Sequence, residues 1–210
     1  MTEEELLAEG RALARESVHL VPEADGRELA AYWRGSPVVP APMPGCEHWI
    51  SVRCELIPGL LRPGWVSVFT HGSLEGIAAF DPHAEAPSTP SGSVPLFAER
   101  RSCLPPLEAI ELVGSLRARE WLAPCGPHVP EDVANAAVKV MRSYERAYQA
   151  TWPLYTRSAH AILGGWHMAW PEDDDYDPER RLLVWTIAES EPWVEVWEEE
   201  GELRVVQRIT

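Results

Sequence analysis

WVEVW at residues 193–197 alternates valine with larger side chains, which is the period-two pattern of a β-strand with two unlike faces. The two valines share one face, and we expect that face to join an aliphatic core. Trp193, Trp197 and the glutamate between them share the other face. This pattern predicts an aromatic surface that either meets a helix or stays partly exposed. A similar stretch, WVSVF, stands at residues 65–69.

Each of these stretches is the middle one of three strand-like segments. HWISVRCEL at 48–56 and LEGIAAF at 74–80 flank the early stretch, and RLLVWTIAE at 181–189 and ELRVV at 202–206 flank the late one. The same order with comparable linkers predicts two related sheet units that arose by internal duplication. Strands of unrelated origin share the same composition, so chance likeness stays open as the alternative. The EEEG that precedes ELRVV predicts a hairpin loop with Gly201 at a positive φ.

The remaining patterns predict helices and one connector. Apolar residues recur at helical spacing over 3–17, 107–122 and 131–149, and the last of these follows directly after Pro130. RGSPVVPAPMPG at 34–45 holds too many prolines for a helix or a central strand, which predicts an ordered connector or an edge. We therefore expect an α+β fold of mainly antiparallel sheets, with two related sheet units and helices between them.

The 210 residues are enough for one substantial core. We expect a single domain over 1–210, with pseudo-repeat halves at about 35–80 and 160–209 and a helical connection at about 107–150.

Five motifs follow one another over residues 35–209: GSPVVPAPMP, WISVRCELIPGLLRPGWVSVF, AHAILGGWHMAWPEDD, RLLVWTIAES and WVEVWEEEGELRVVQRI. Their type and order resemble those of the YwqG-like bacterial proteins, a family of unassigned activity. The chain departs from the family at a glutamine of each strand motif, where Arg53 and Trp185 stand instead. The resemblance implies an α+β fold with duplicated sheet units, and it implies no reaction.

Composition excludes several classes of partner. The net charge of −15 repels phosphate backbones and anionic lipid headgroups, which argues against nucleic acid and membrane surfaces as partners. No apolar run is long enough to span a bilayer, and the acidic start MTEEELLAEG lacks the positive charge of a secretory signal. We expect a cytoplasmic protein. Lys139 is the only lysine, so it is the one residue that could serve Schiff-base or P-loop chemistry, both of which need a lysine at the site.

The segment 164–177, GGWHMAWPEDDDYD, looks most like a site. Its glycines allow close backbone approach, its histidine and aspartates are of metal-ligand type, and its tryptophans suit an interface or a stacked ligand. The candidate binding residues, including two from the late strand, are Trp166, His167, Trp170, Asp173, Asp174, Asp175, Asp177, Trp193 and Trp197. An EF-hand loop from Asp173 fails, because Pro178 and Val184 stand where glycine and glutamate are required.

No catalytic residue and no cofactor emerges from these motifs. We interpret the chain as a non-catalytic binding protein, for example a bacterial immunity or regulatory protein that engages a basic protein partner through an acidic, Trp-bearing surface. The alternative is a metal-binding protein or a metal-dependent hydrolase that uses the segment 164–177. A zinc site from Cys46, His48, Cys125 and His128 is a further, weaker hypothesis.

Overall fold

The structure is a computed structural model whose described residues form ten β-strands and four α-helices. The described residues are 1–60, 62–71, 75–86, 90–123, 130–151, 159–166, 177, 180–186, 193–199 and 201–208. The strands are β1 (Arg15–Val21), β2 (Leu29–Trp33), β3 (Glu47–Arg53), β4 (Trp65–His71), β5 (Glu75–Asp81), β6 (Val94–Cys103), β7 (Ala161–Gly164), β8 (Arg181–Thr186), β9 (Trp193–Glu199) and β10 (Glu202–Arg208). The helices are α1 (Glu3–Ala12), α2 (Leu107–Val113), α3 (Leu116–Leu122) and α4 (Glu131–Thr151).

Contacts divide the chain into two compact units. The helical unit comprises Met1–Arg15, Ser102–Thr156 and Gly165–Glu179, and the barrel unit comprises Glu16–Arg101, Arg157–Gly164 and Arg180–Thr210.

All ten strands form one closed barrel in the order β1, β6, β2, β3, β4, β5, β10, β9, β8, β7, and β7 pairs with β1 to complete the ring. The prediction of an α+β fold with two sheet units and helices between them is therefore wrong. The early run β3–β4–β5 and the late run β8–β9–β10 are parts of the same sheet, because β5 and β10 pair directly. The described strands form one sheet, so the helices do not separate two sheet units.

Four strands that the sequence patterns did not predict account for this difference. They are β1, β2, β6 and β7, and they connect the two predicted runs on the side of the ring opposite the β5–β10 pair. In the closed ring each of the ten described strands has a neighbour on both sides, and closure is one way in which strand-rich folds avoid open edges.

The barrel interior is filled by aliphatic side chains. Val194 and Val196 of β9 are fully buried in this core, which confirms the predicted aliphatic face. A bulge in β8 between Leu182 and Val184 turns two consecutive residues, Leu183 and Val184, into the same core. Gly201 has a φ of +85° between β9 and β10, so the predicted hairpin is also confirmed.

The helical unit packs α1 against α4 through a glycine. The ring of Tyr144 lies so close to Gly10 that a Cβ there would be 2.4 Å from the tyrosine Oη. The Tyr144 hydroxyl donates a hydrogen bond to the Pro105 carbonyl at 2.8 Å. Gly10, which weakens the helical pattern locally, is therefore required by packing.

Two of the three predicted helices have different boundaries in the structure. The helix over 131–149 is confirmed, as α4. The helix over 107–122 is two helices, because Gly114 adopts an extended conformation and the Ser115 hydroxyl then caps α3. The first helix ends at Ala12 rather than 17, since residues 15–17 belong to β1. None of the helices in the described ranges is long and apolar enough to cross a membrane.

Candidate functional site

The outer face of β9 carries the aromatic residues that the sequence singled out. Trp197 is buried, and its indole N–H donates to the Glu195 carboxylate at 3.1 Å. The Arg180 guanidinium lies over the Trp197 ring at 4.3 Å and forms an ion pair with Glu199. A guanidinium on an indole face is a favourable cation–π contact. This arrangement covers the Trp197 ring from within the same unit.

Trp193 is the more accessible aromatic residue on this face. It is half-buried, and its ring meets that of Trp185 edge to face, with centroids 5.7 Å apart and an interplanar angle of 86°. Such pairs hold each ring in one orientation. Trp193 therefore presents a fixed aromatic surface at the start of β9.

Arginines engage the carboxylates at the far end of β9. Arg204 donates to Glu199 at 3.0 Å, and this hydrogen bond is the main cause that lowers the pKa of the Glu199 carboxyl below its usual value. Glu198 accepts from Arg181 at 3.0 Å and forms a longer ion pair with Arg62 at 3.5 Å. Glu202, at the hairpin tip, is exposed.

Glu198 belongs to a cluster that the sequence reasoning missed. It follows Val194 and Val196 at period two, so it lies at the interior end of β9, where β8 begins. We call Arg62, Arg181 and Glu198 the mouth cluster. The signal in the sequence is a charged residue that continues a buried aliphatic face, and it becomes informative only when the strand is known to line a barrel.

The other predicted site residues fall partly outside the described part of the chain. Trp166 is buried in the helical unit, where its indole N–H donates to the Leu13 carbonyl at 2.9 Å and the Arg15 guanidinium lies 3.4 Å from its ring centroid. Asp177 is exposed. His167, Trp170, Asp173, Asp174 and Asp175 lie outside the described residues. Trp193 and Trp197 are thus brought together on β9, and the binding role of the whole set stays a prediction.

The two hypothetical metal sites, in the segment 164–177 and in the Cys2His2 set, lie largely outside the described residues. Among the described residues, no group of three or more His, Cys, Asp or Glu side chains is placed to hold an ion. Most of the segment 164–177 lies outside those residues, so the metal-binding alternative stays a prediction. Of the zinc set, Cys125 and His128 also lie outside them, and His48 uses both ring nitrogens in hydrogen bonds.

His48 takes part in a buried hydrogen-bond chain that the sequence reasoning also missed. Its Nδ1 donates to the Gly35 carbonyl at 3.0 Å, so its Nε2 accepts from the Ser51 hydroxyl at 2.9 Å. The Ser67 hydroxyl lies 2.7 Å from that of Ser51. Burial is the largest cause that lowers the pKa of His48 below its usual value.

This Ser–Ser–His chain has the connectivity of a proton relay, but its surroundings show a structural role. Ser51 and Ser67 are fully buried, and their oxygens accept from the Val38 and Val39 amides at 3.0 and 2.9 Å. These amides belong to the proline-rich strap, residues 34–46, which confirms the predicted ordered connector. The chain of hydrogen bonds holds the strap to β3 and β4.

No protein-family model matches the chain, and neither the curated proteins nor the solved structures include a significant match to it. The resemblance to the YwqG-like proteins therefore stays a prediction.

Proposed function

We propose that this protein is a non-catalytic binding protein, of the immunity or regulatory type, that engages a basic protein partner through the acidic, Trp-bearing surface of its C-terminal region. The observation that carries the proposal is the local charge. Residues 171–210 hold thirteen acidic residues against four arginines, a net charge of −9 in a chain of −15. Such a field speeds encounter with a cationic surface and selects against anionic partners.

The hairpin geometry supports an aromatic anchor within this charged region. Trp193 is half-buried and braced by Trp185, and tryptophan is among the residues that most often dominate interface energetics. Exposed Glu202 lies at the hairpin tip, and Asp177 is exposed as well. A cytoplasmic location belongs to the same proposal.

The proposal is tested by affinity capture with the full chain as bait in native lysate. A basic partner should be retained at low salt and released as ionic strength rises, because surface electrostatics is screened over roughly 8 Å at physiological ionic strength. Substitution of Asp173, Asp174, Asp175 and Asp177 by Asn should reduce retention roughly tenfold or more.

A matched control removes the same number of charges elsewhere. The control variant carries Glu108→Gln, Glu111→Gln, Glu131→Gln and Asp132→Asn, all at exposed helix positions. It should retain the partner as the wild type does. Equal retention by both variants would overturn the proposal, and so would metal-dependent hydrolysis that His167→Ala or Asp173→Asn abolishes.

A further inference from the structure

The strap is fastened to the barrel at His48 as well as at the two serines of β3 and β4. The His48 Nδ1 lies 3.0 Å from the Gly35 carbonyl and 3.2 Å from the Arg34 carbonyl. Both strap residues have a left-handed backbone, with φ values of +66° and +56°. Since carbonyl oxygens only accept hydrogen bonds, Nδ1 carries the proton of the neutral imidazole, and Nε2 is left as an acceptor.

The direction of every hydrogen bond in the Ser–Ser–His chain follows from this tautomer. Because His48 Nε2 accepts, the Ser51 hydroxyl donates to it at 2.9 Å, and the Ser67 hydroxyl donates to Ser51 at 2.7 Å. Each hydroxyl oxygen also accepts one strap amide, that of Val38 at Ser51 and that of Val39 at Ser67. In the part of the chain that the structure describes, these are the only partners of the two hydroxyls.

A second proton on His48 reverses this chain. Nε2 becomes a donor, so Ser51 has to accept from it and has to turn its own proton towards Ser67. Ser67 then accepts from both Ser51 and the Val39 amide, and its own proton has no acceptor among the described residues. Ser67 is fully buried, and a buried donor without a partner is costly.

Burial makes a charge on His48 itself unfavourable. The residue is 9% exposed, and burial is the largest cause that lowers its pKa below the usual value, whereas backbone hydrogen bonds at Gly35, Arg34 and Ile50 act in the opposite direction. The side chains on the surrounding elements that carry or can gain a charge are exposed or half-buried, and none of them is among these causes: Glu47 of β3, His71 of β4, and Arg34 and Cys46 of the strap. No described carboxylate therefore offsets the charge of the imidazolium.

Release of the strap removes both costs. Water can then solvate the imidazolium and accept the proton of Ser67. Little apolar contact opposes release, because Val39 is the only fully buried residue of the strap and residues 40–45 are exposed. Val39 packs against Tyr32 and Trp65, whose rings are stacked with centroids 5.7 Å apart.

We propose that the strap is an acid-sensitive lid, in which protonation of His48 releases residues 34–39 from β3 and β4 and uncovers the aromatic pair Tyr32 and Trp65. The open form binds the proton more tightly than the closed form, so closure is fully favoured above pH 6.5 and is progressively lost as the pH falls below it. The lid does not involve residues 171–210, and each of the two proposals stands without the other.

NMR of the imidazole nitrogens tests the direction of the hydrogen-bond chain. At neutral pH the His48 ring should be the Nδ1–H tautomer, because two carbonyl oxygens face that nitrogen. The Nε2–H tautomer would overturn the proposal, since Ser51 would then already accept from His48 and protonation would reverse nothing.

Hydrogen exchange at the Val38 and Val39 amides, followed from pH 7 to about pH 4.5, tests the release. After correction for the intrinsic pH dependence of exchange, protection of both amides should fall roughly tenfold or more, in step with the titration of His48. Val66 and Val68 of β4 should stay better protected at every pH, which shows that the strap opens without unfolding of the barrel. Constant protection of the strap while His48 takes up its proton overturns the proposal, and so does equal protection of strap and β4.

Two variants assign the effect to one histidine. In His48→Gln the side chain still offers a donor and an acceptor but does not ionise, so protection of the strap should not depend on pH. His71→Gln removes an exposed histidine of β4 that lies next to the strap at Gly45, and it should behave as the wild type. The same pH dependence in His48→Gln as in the wild type would contradict the role of His48.

Circular dichroism and the thermal unfolding midpoint show whether each variant is folded. The tautomer and exchange measurements use the wild-type chain, so they decide the proposal even where His48→Gln does not fold.

Discussion

His19 is a buried titratable residue on β1. Only 1% of its surface is exposed, its Nδ1 has no hydrogen-bond partner within the described part of the chain, and its Nε2 lies 3.5 Å from the Ser17 hydroxyl. Burial lowers its pKa from 6.5 to about 4, and the charge of Arg101 acts in the same direction, whereas Glu99 opposes it. The folded protein therefore holds this imidazole in its neutral form.

We expect the stability of the protein to fall as the pH drops from 6.5 to about 4. The unfolded chain binds a proton at His19 below pH 6.5 and the folded chain does not, so the free energy of unfolding decreases over this window. The loss attributable to His19 is roughly 3 kcal/mol, at about 1.4 kcal/mol for each unit of pKa difference. The contribution is fully present above pH 6.5.

Urea unfolding at a series of pH values checks this prediction. The His19→Leu variant should lose less stability than the wild type between pH 7 and pH 4, whatever its stability at neutral pH. His48→Leu serves as a comparison, since burial lowers that pKa too. Parallel pH dependence of the wild type and His19→Leu would contradict the assignment.

At the scale of elements, the strap depends on polar side chains of two neighbouring strands. Ser51 of β3 and Ser67 of β4 face each other across a register pair, and each accepts a strap amide. These amides have no strand partner, so the two hydroxyls supply the hydrogen bonds that buried backbone requires. The proline-rich strap is thus held on the barrel by serine side chains of the two strands beneath it.

Ser51→Ala should destabilise the protein by roughly 1–3 kcal/mol, because it leaves the half-buried Val38 amide and the buried His48 Nε2 without this partner. Hydrogen exchange at the Val38 amide should accelerate at least tenfold. Ser36→Ala, at an exposed strap position, is the matched control and should change neither quantity. Unaltered exchange at Val38 in Ser51→Ala would show that the strap is held by other contacts.

The strands and helices were predictable to different degrees. Segments with strong alternation or amphipathic pattern, such as β9 and α4, were predicted correctly, since their local sequence alone favours one conformation. The strands β1, β2, β6 and β7 were missed. All of β1 from Ser17 onward and all of β7 are buried, so neither of these two shows the alternation that reveals a half-exposed strand.

At the scale of the whole barrel, closure depends on a glycine. Gly76 of β5 lies beside Val205 of β10, and a Cβ at Gly76 would be 2.1 Å from the Val205 Cγ1. Positions 76 and 205 are more than a hundred residues apart in sequence. The absence of a side chain at Gly76 therefore lets β5 and β10 pair here without a clash against Val205.

Gly76→Ala should destabilise the barrel by roughly 1–3 kcal/mol through overpacking, and it should promote self-association by weakening the β5–β10 seam. The cost should be smaller in a Val205→Ala background, where the clashing methyl group is gone. Ile77→Val, on the same strand, is the control. Chemical unfolding and light scattering give the two readouts, and an identical cost in both backgrounds would place the strain elsewhere.

The candidate site was predictable only in its composition. The acidic bias of residues 171–210 and the tryptophans of β9 are visible in the printed sequence. In the structure, Arg180 covers Trp197, whereas Trp193 stays half-exposed. This difference results from strand pairing and from side-chain contacts between strands. The mouth cluster was missed entirely, because Arg62 and Glu198 come together only through the ring of strands.

By itself the sequence determined that six segments, β3, β4, β5, β8, β9 and β10, are strands, which face of β9 is aliphatic, and that the protein's net charge is negative. Alternation and net charge are local or additive properties. The tertiary structure alone decided that the strands close into one barrel, that the strap is hydrogen-bonded to Ser51 and Ser67, and that two arginines share Glu198. Two strands pair when their side chains pack together in one register and when pairing satisfies the exposed backbone groups of a strand edge. Strand pairing therefore depends on residues far apart along the chain, and a local sequence pattern does not predict it.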